Sequence, residues 1–196
     1  MIALLIVGCS QSSESYTDIN ENSYRLSNTE LESLFGGEII LRRGHGRLSD
    51  MISTFLQEQN GVTHSGIIVK RNDSLFVIHS LSSSVSDIDG IQLQPLDEFV
   101  ARSKDSTLII TRLQSDSDTV LAQIQKDAFY YLGQEIAFDH SFDCYDRDEF
   151  TCSELIWQIL EQNDYIDIPD AEEQRKAYNS LNYFYNDSVF DIVLAH

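Results

Sequence analysis

Basic residues are scarce in this sequence. Thirteen Lys and Arg stand against 32 Asp and Glu, a formal charge of −19 over 196 residues. A surface so acidic repels phosphate backbones, which sets nucleic-acid binding aside as the expected function. It keeps a protein soluble and suits cationic substrates. Glycine-rich phosphate loops and zinc-ligand spacings are missing as well, so no cofactor and no metal are expected. Only two prolines and no internal repeats occur, and the 42% hydrophobic content is enough for one sizeable core, hence one domain.

Long apolar runs are also absent, with one short exception at the start, "MIALLIVGCSQSSES". Seven of its first eight residues are apolar, too few to span a bilayer. The stretch reads as the tail of a secretory apolar region lacking its basic start. Ile6-Val7-Gly8-Cys9 resembles a bacterial lipobox, in which the cysteine is lipidated after cleavage. The expected organisation is therefore a signal remnant over 1–9, a flexible polar tether over 10–27 and a folded domain over 28–196. The expected location is the bacterial cell envelope, outside the cytoplasm, with the membrane reached through a lipid on Cys9. An exported compartment permits disulfides. With Cys9 lipidated, Cys144 and Cys152 remain as a possible pair.

Along the domain, "NTELESLF" predicts a short helix capped by Asn28, and "EIILRR" a strand. "LSDMISTFLQEQ" has helical apolar spacing. "HSGIIVK" and "SLFVIHS", separated by "RND", predict a hairpin. Strands at "IQLQ" and "TLIITRL" flank a helix opened by Pro95. A long amphipathic helix is expected from about Asp118 to Leu132, ended by Gly133. The segment from Asn163 onward, rich in Tyr and Asn, is expected to be short helical or irregular pieces. Helices and strands that do not alternate indicate α+β, with helices on a mostly antiparallel sheet.

The chemistry concentrates at "RDEFTCSELIWQIL". Thr151-Cys152-Ser153-Glu154 fits a capping box, with Thr151 as N-cap and Glu154 reaching back. Cys152 then stands in the first helical turn, where unpaired backbone N–H groups and the helix dipole favour a thiolate. The hairpin offers a base. If Arg71 pairs with Ser74, Gly66 lies opposite His79, and His64 and His79 become diagonal neighbours on one face. A one-residue slip would put the rings on opposite faces. The bland alternatives are two hydrogen-bonded histidines of purely structural role and a buried or disulfide-bonded cysteine.

"THSGIIVKRNDSLFVIHSLSSSV" resembles the histidine hairpin of NlpC-type cell-wall peptidases in the papain-like superfamily. Here the histidines precede "FTCSELIWQIL", an order that resembles the circularly permuted papain-like amidases of the YaeF/YiiX type. "GGEIILRRG" is similar to their G-D-I-I opening strand, with Glu38 in place of Asp. The resemblance covers about Gly36 to Leu160. It implies a permuted papain-like fold with Cys152 as nucleophile, His64 as general base and His79 as the polar residue orienting it. Permuted members often carry an acidic residue where His79 stands, and a Tyr where Phe150 stands. A histidine cannot offset imidazolium charge as a carboxylate would.

The implied activity is acyl transfer: a cysteine amidase or peptidase acting through a thioester on a small peptide-like substrate, cell-wall fragments being one candidate source. The Cys152 N–H is the expected oxyanion donor. Two alternatives stand beside it. One is an acyltransferase or lipid thioesterase using the same triad on an acyl substrate. The other is a non-catalytic binding lipoprotein with a Cys144–Cys152 disulfide. Asp139, Asp143, Asp146, Asp148 and Glu149 lack the EF-hand spacing, and Asp143 and Asp146 are candidate contacts for an amine-bearing substrate. His45, His140 and His196 are expected to be non-catalytic.

Overall fold

A computed structural model describes residues 24–45, 49, 60–104, 107–115, 117, 119–143, 147–166 and 180–196. The Cys9 lipobox and the tether as far as residue 23, all but Ser49 of the helix expected at 48–59, Cys144 and Asp146 lie outside the described residues.

Six strands form one antiparallel sheet: β1 (Ile39–Arg42), β2 (His64–Arg71), β3 (Ser74–Leu81), β4 (Gly90–Pro95), β5 (Leu108–Leu113) and β6 (Phe190–Ala195). Their spatial order is β4-β3-β2-β1-β5-β6. Among the described residues they are accompanied by the helices α1 (Asn28–Glu32), α2 (Leu96–Ala101), α3 (Thr119–Leu132) and α4 (Cys152–Glu161). The α+β expectation holds.

Both faces of the sheet are covered, which is why residues 64–69 of β2 are buried without interruption. Alternation sends Ile67 and Val69 towards α3 and α4, where Ile124, Leu155, Ile156 and Trp157 meet them. It sends Ile68 to the other face, against Phe99 and Val100 of α2. The β2–β3 hairpin pairs Arg71 with Ser74 and Ile67 with Ile78, the expected register. Its two turn residues, Asn72 and Asp73, both have positive φ (49° and 62°). That is the type I′ signature, made here without glycine because Asn and Asp tolerate the left-handed region.

Two expectations are corrected. The cap of α1 is Ser27, not Asn28: Ser27 and Glu30 form a reciprocal capping box, since Ser-x-x-Glu sets the distance over which the two side chains can reach each other's amides. The C-terminal segment is also not wholly irregular. Phe190–Ala195 pairs antiparallel with β5, with a register shift between Ile110 and Thr111. A short edge strand whose inside–outside alternation is broken by a bulge leaves little periodic trace in sequence. After this strand His196 Nε2 lies 3.1 Å from Glu30 Oε1 of α1.

Candidate active site

The capping box at the start of α4 is complete. Thr151 N–H donates to Glu154 Oε2 at 2.7 Å, and Glu154 N–H donates to Thr151 Oγ1 at 3.3 Å. Cys152 follows as the first residue of the helix, partly exposed and with a free thiol. The approach to it is anchored. Ser80 Oγ on β3 donates to the Phe150 carbonyl at 2.6 Å, and Phe150 N–H donates to the Ala137 carbonyl. The Phe150 ring is buried edge-on against Tyr131. Four apolar residues of α4, Leu155, Trp157, Ile159 and Leu160, are fully buried, so the helix cannot shift without opening the core.

The hairpin register brings the two histidines together. His64 Nε2 and His79 Nδ1 are 2.9 Å apart, and both rings are buried. Gly66 makes this possible: a Cβ there would stand 2.4 Å from Val77 Cγ1 and 3.1 Å from His79 Cβ. Phe99 of α2 packs against both rings, with the Arg42 guanidinium 4.7 Å from its centroid. Burial holds His64 well below the ordinary imidazole range, with His79 and Arg42 adding to the shift. Burial also lowers His79, to about 3, reinforced by Arg42 and Arg102. Both rings are therefore neutral at physiological pH.

The thiol has a different immediate neighbour. Alternation puts Ser65 on the α4 side of β2 and His64 on the α2 side, and the group acting on Cys152 is Ser65. Burial pushes the Cys152 thiol up, the Ser65 hydroxyl and amide pull it part of the way back, and the Glu154 carboxylate raises it again. The expected preference for thiolate at the helix start is thus outweighed, chiefly by burial, with the anionic cap residue Glu154 adding to it. The resting state is a neutral thiol with neutral imidazoles, not an ion pair.

The acidic loop is mostly self-satisfied. Asp139 is buried and accepts from the amides of Ser141, Phe142 and Asp143 and from the Ser141 hydroxyl. Asp143 and Asp148 are exposed. Arg147 turns back to α4, donating to Gln158 Oε1 at 2.6 Å. His140 lies 3.0 Å from Asp89, tying the loop after β3 to this one. Glu38, the substitute in the opening strand, is fully buried; it accepts from the amides of Phe35 and Gly36 and pairs with Arg112 at 2.9 Å. Its role is to hold the entry to β1.

Sequence reasoning overlooked Ser65, Ser80, Arg42 and Phe99. Ser65 could have been found by continuing the alternation of β2 one residue from His64. Arg42 and Phe99 come from other elements, and no local pattern links them to the hairpin.

Comparison with curated proteins gives no match. Among solved structures, one described as the metalloprotein YiiX from Escherichia coli O157:H7 superposes with a TM-score of 0.61 at 19% identity, covering 82% of this chain and 97% of that one. At that identity the likeness speaks for the fold. The family model for permuted papain-like amidase enzymes matches residues 33–187. The buried histidine hairpin, the capped cysteine that follows it in the chain and this match agree: the chain belongs to the C92 family of permuted papain-like amidases, the YaeF/YiiX type, and is a cysteine amidase of that family.

Proposed function

We propose that this protein hydrolyses amide bonds of a small peptide-like substrate, with Cys152 as nucleophile, His64 as general base and His79 as the residue that orients His64. The observation that carries the reading is the buried 2.9 Å bond between the two imidazoles, made by His64, the first residue of β2, whose next residue Ser65 acts on the helix-start thiol.

The bond sets the tautomers the role requires. When His64 Nε2–H donates to His79 Nδ1, the lone pair of His64 Nδ1 is left to accept a proton. The thiol and the ring rest neutral, and His64 is the first residue of β2 with its ring on the α2 side, so the step requires the ring to reach Sγ past that strand end. The thiol proton then passes to His64 Nδ1 while Sγ bonds to the substrate carbonyl carbon. The Cys152 N–H at the helix start is suited to receive the oxyanion. His64 returns the proton to the leaving nitrogen as the C–N bond breaks, leaving a thioester. Water then attacks, giving its proton to His64, and the C–S bond breaks to release a carboxylate and restore the thiol.

Asp143, exposed on the loop before Cys152, is the proposed contact for a cationic amine, together with Asp146. Attachment to a membrane through Cys9, outside the cytoplasm, is part of the same reading. YiiX is described as a metalloprotein. Among the described residues of this chain no group of three or more His, Cys, Asp or Glu side chains is placed to hold a metal ion.

A second reading has its own support. Val85 and Ile88 on the loop after β3, and Phe142 on the acidic loop, are exposed apolar side chains on two segments joined by the His140–Asp89 pair. Such a rim suits an acyl chain, and the same thiol chemistry acts on esters and thioesters. The non-catalytic disulfide reading is disfavoured by the family, which is one of cysteine amidases.

The test is turnover of a panel of short peptide amides, acyl thioesters and phospholipid esters, with intact-mass detection of an acyl adduct. Hydrolysis of amides with the adduct on Cys152, abolished in Cys152→Ala, supports the first reading. Turnover confined to acyl esters moves the assignment to the second. Turnover that survives in Cys152→Ala overturns both.

A further inference from the structure

Ser65 occupies the open position of the H-x-G-I pattern, and its environment is unusual for a hydroxyl. The residue is fully buried, and Oγ has no hydrogen bond of ordinary geometry. Buried hydroxyls are ordinarily satisfied, so one left unpaired calls for an explanation. Alternation turns its side chain to the face on which α4 packs. The ladder around it is one-sided as well. β2 stays paired with β1 as far as His64 with Arg42, whereas its pairing with β3 stops at Ile67 with Ile78. The hydroxyl of Ser80, further along β3, is committed to the Phe150 carbonyl. Ser65 Oγ is thus unpaired on the face where α4 packs, and the hydroxyl acts on the Cys152 thiol there.

We propose that Ser65 positions and stabilises the Cys152 thiolate, its hydroxyl donating a hydrogen bond to Sγ as the thiol proton leaves. The inference rests on the assignment of Cys152 as nucleophile. The proton of Sγ goes to His64 Nδ1, the Ser65 O–H bond stays intact, and an O–H···S⁻ bond forms in place of an unpaired hydroxyl. A hydroxyl idle against a neutral thiol and bonded to the thiolate acts only when charge develops, which is the condition for lowering a barrier. It also counters the Glu154 carboxylate, which the cap needs but which opposes charge on sulfur.

The experiment is the rate of iodoacetamide alkylation of the full chain from pH 5 to 10, with the adduct on Cys152 located by peptide mass. Ser65→Ala should raise the apparent thiol pKa by about one unit, slowing alkylation near neutrality about tenfold. Ser65→Thr, which keeps the hydroxyl, should titrate with the wild type. Ser65→Val, equal to Thr in shape, should follow Ser65→Ala. The Thr–Val comparison isolates the hydroxyl even where Ala disturbs packing. Coincident profiles for Thr and Val, or equal slowing at every pH, overturn the proposal. Turnover by Cys152→Ala would instead remove the nucleophile assignment, whatever the alkylation profiles show.

Discussion

His64 Nε2 and His79 Nδ1 stand 2.9 Å apart, with the ring planes at 75° and Phe99 packed against both. His79 Nε2 is buried and has no partner among the described residues. The pair is therefore closed: among these residues the one hydrogen bond of the His79 ring is the one it shares with His64 Nε2. With Arg42 and Arg102 nearby, neither ring readily takes a charge.

A histidine at this position differs from a carboxylate in the charge it can offer His64. His79→Ala removes the orienting bond and leaves His64 Nε2 unsatisfied. We expect kcat to fall roughly 100-fold with little change in KM, by analogy with the usual worth of a positioned acid–base group. His79→Glu should do something different. A carboxylate at that site favours imidazolium on His64, so alkylation of Cys152 below pH 7 should become faster than in wild type. Unchanged acid-side alkylation in His79→Glu would show that the ring and the thiol are not coupled.

Stability should depend on pH through the same pair. Both folded-state values lie below the ordinary 6.5, so between the two states it is the unfolded chain that binds more protons. The stability present above pH 6.5 is lost as pH falls, continuing towards about 3 for His79. Thermal unfolding at pH 7.5 and pH 4.5 should show a drop in Tm. The drop should shrink in the double variant His64→Gln/His79→Gln; an identical drop would assign it to the carboxylates alone.

Thr151→Ala removes the side-chain acceptor for the Glu154 amide, and should cost about 1 kcal/mol of stability. Its effect on turnover should exceed its effect on folding, since the same cap sets the position of Sγ. Urea unfolding and kcat/KM measured on one preparation make the comparison. Equal losses in both would reduce Thr151 to a fold residue.

Gly66→Ala tests the steric basis of the pair. The added methyl meets Val77 Cγ1, the Ile78 carbonyl at 3.0 Å and His79 Cβ, an overpacking that costs about 1–3 kcal/mol. Because the obstacle includes His79 itself, the pH dependence of stability should flatten along with the loss of Tm. Retention of both would mean that the hairpin gives way at little cost.

Much of this was legible in the residues. The turn chemistry of Arg71 to Ser74, with period-two alternation, determined that His64 and His79 share a face. Thr-Cys-Ser-Glu determined that Cys152 opens a helix, because a capping box is a local contract between neighbouring amides and side chains. Chain order, histidines before cysteine, determined the permuted family. What the sequence could not supply came from other elements. The edge strand Phe190–Ala195 exists because β5 offers it a ladder. The histidines rest neutral because Phe99 and two arginines from β1 and the end of α2 remove water and add positive charge. The thiol faces Ser65 because α4 docks on the odd-numbered side of β2. Periodicity and capping act between near neighbours and can be read along the chain. Desolvation and charge at the site are sums over residues that only the packed sheet brings together.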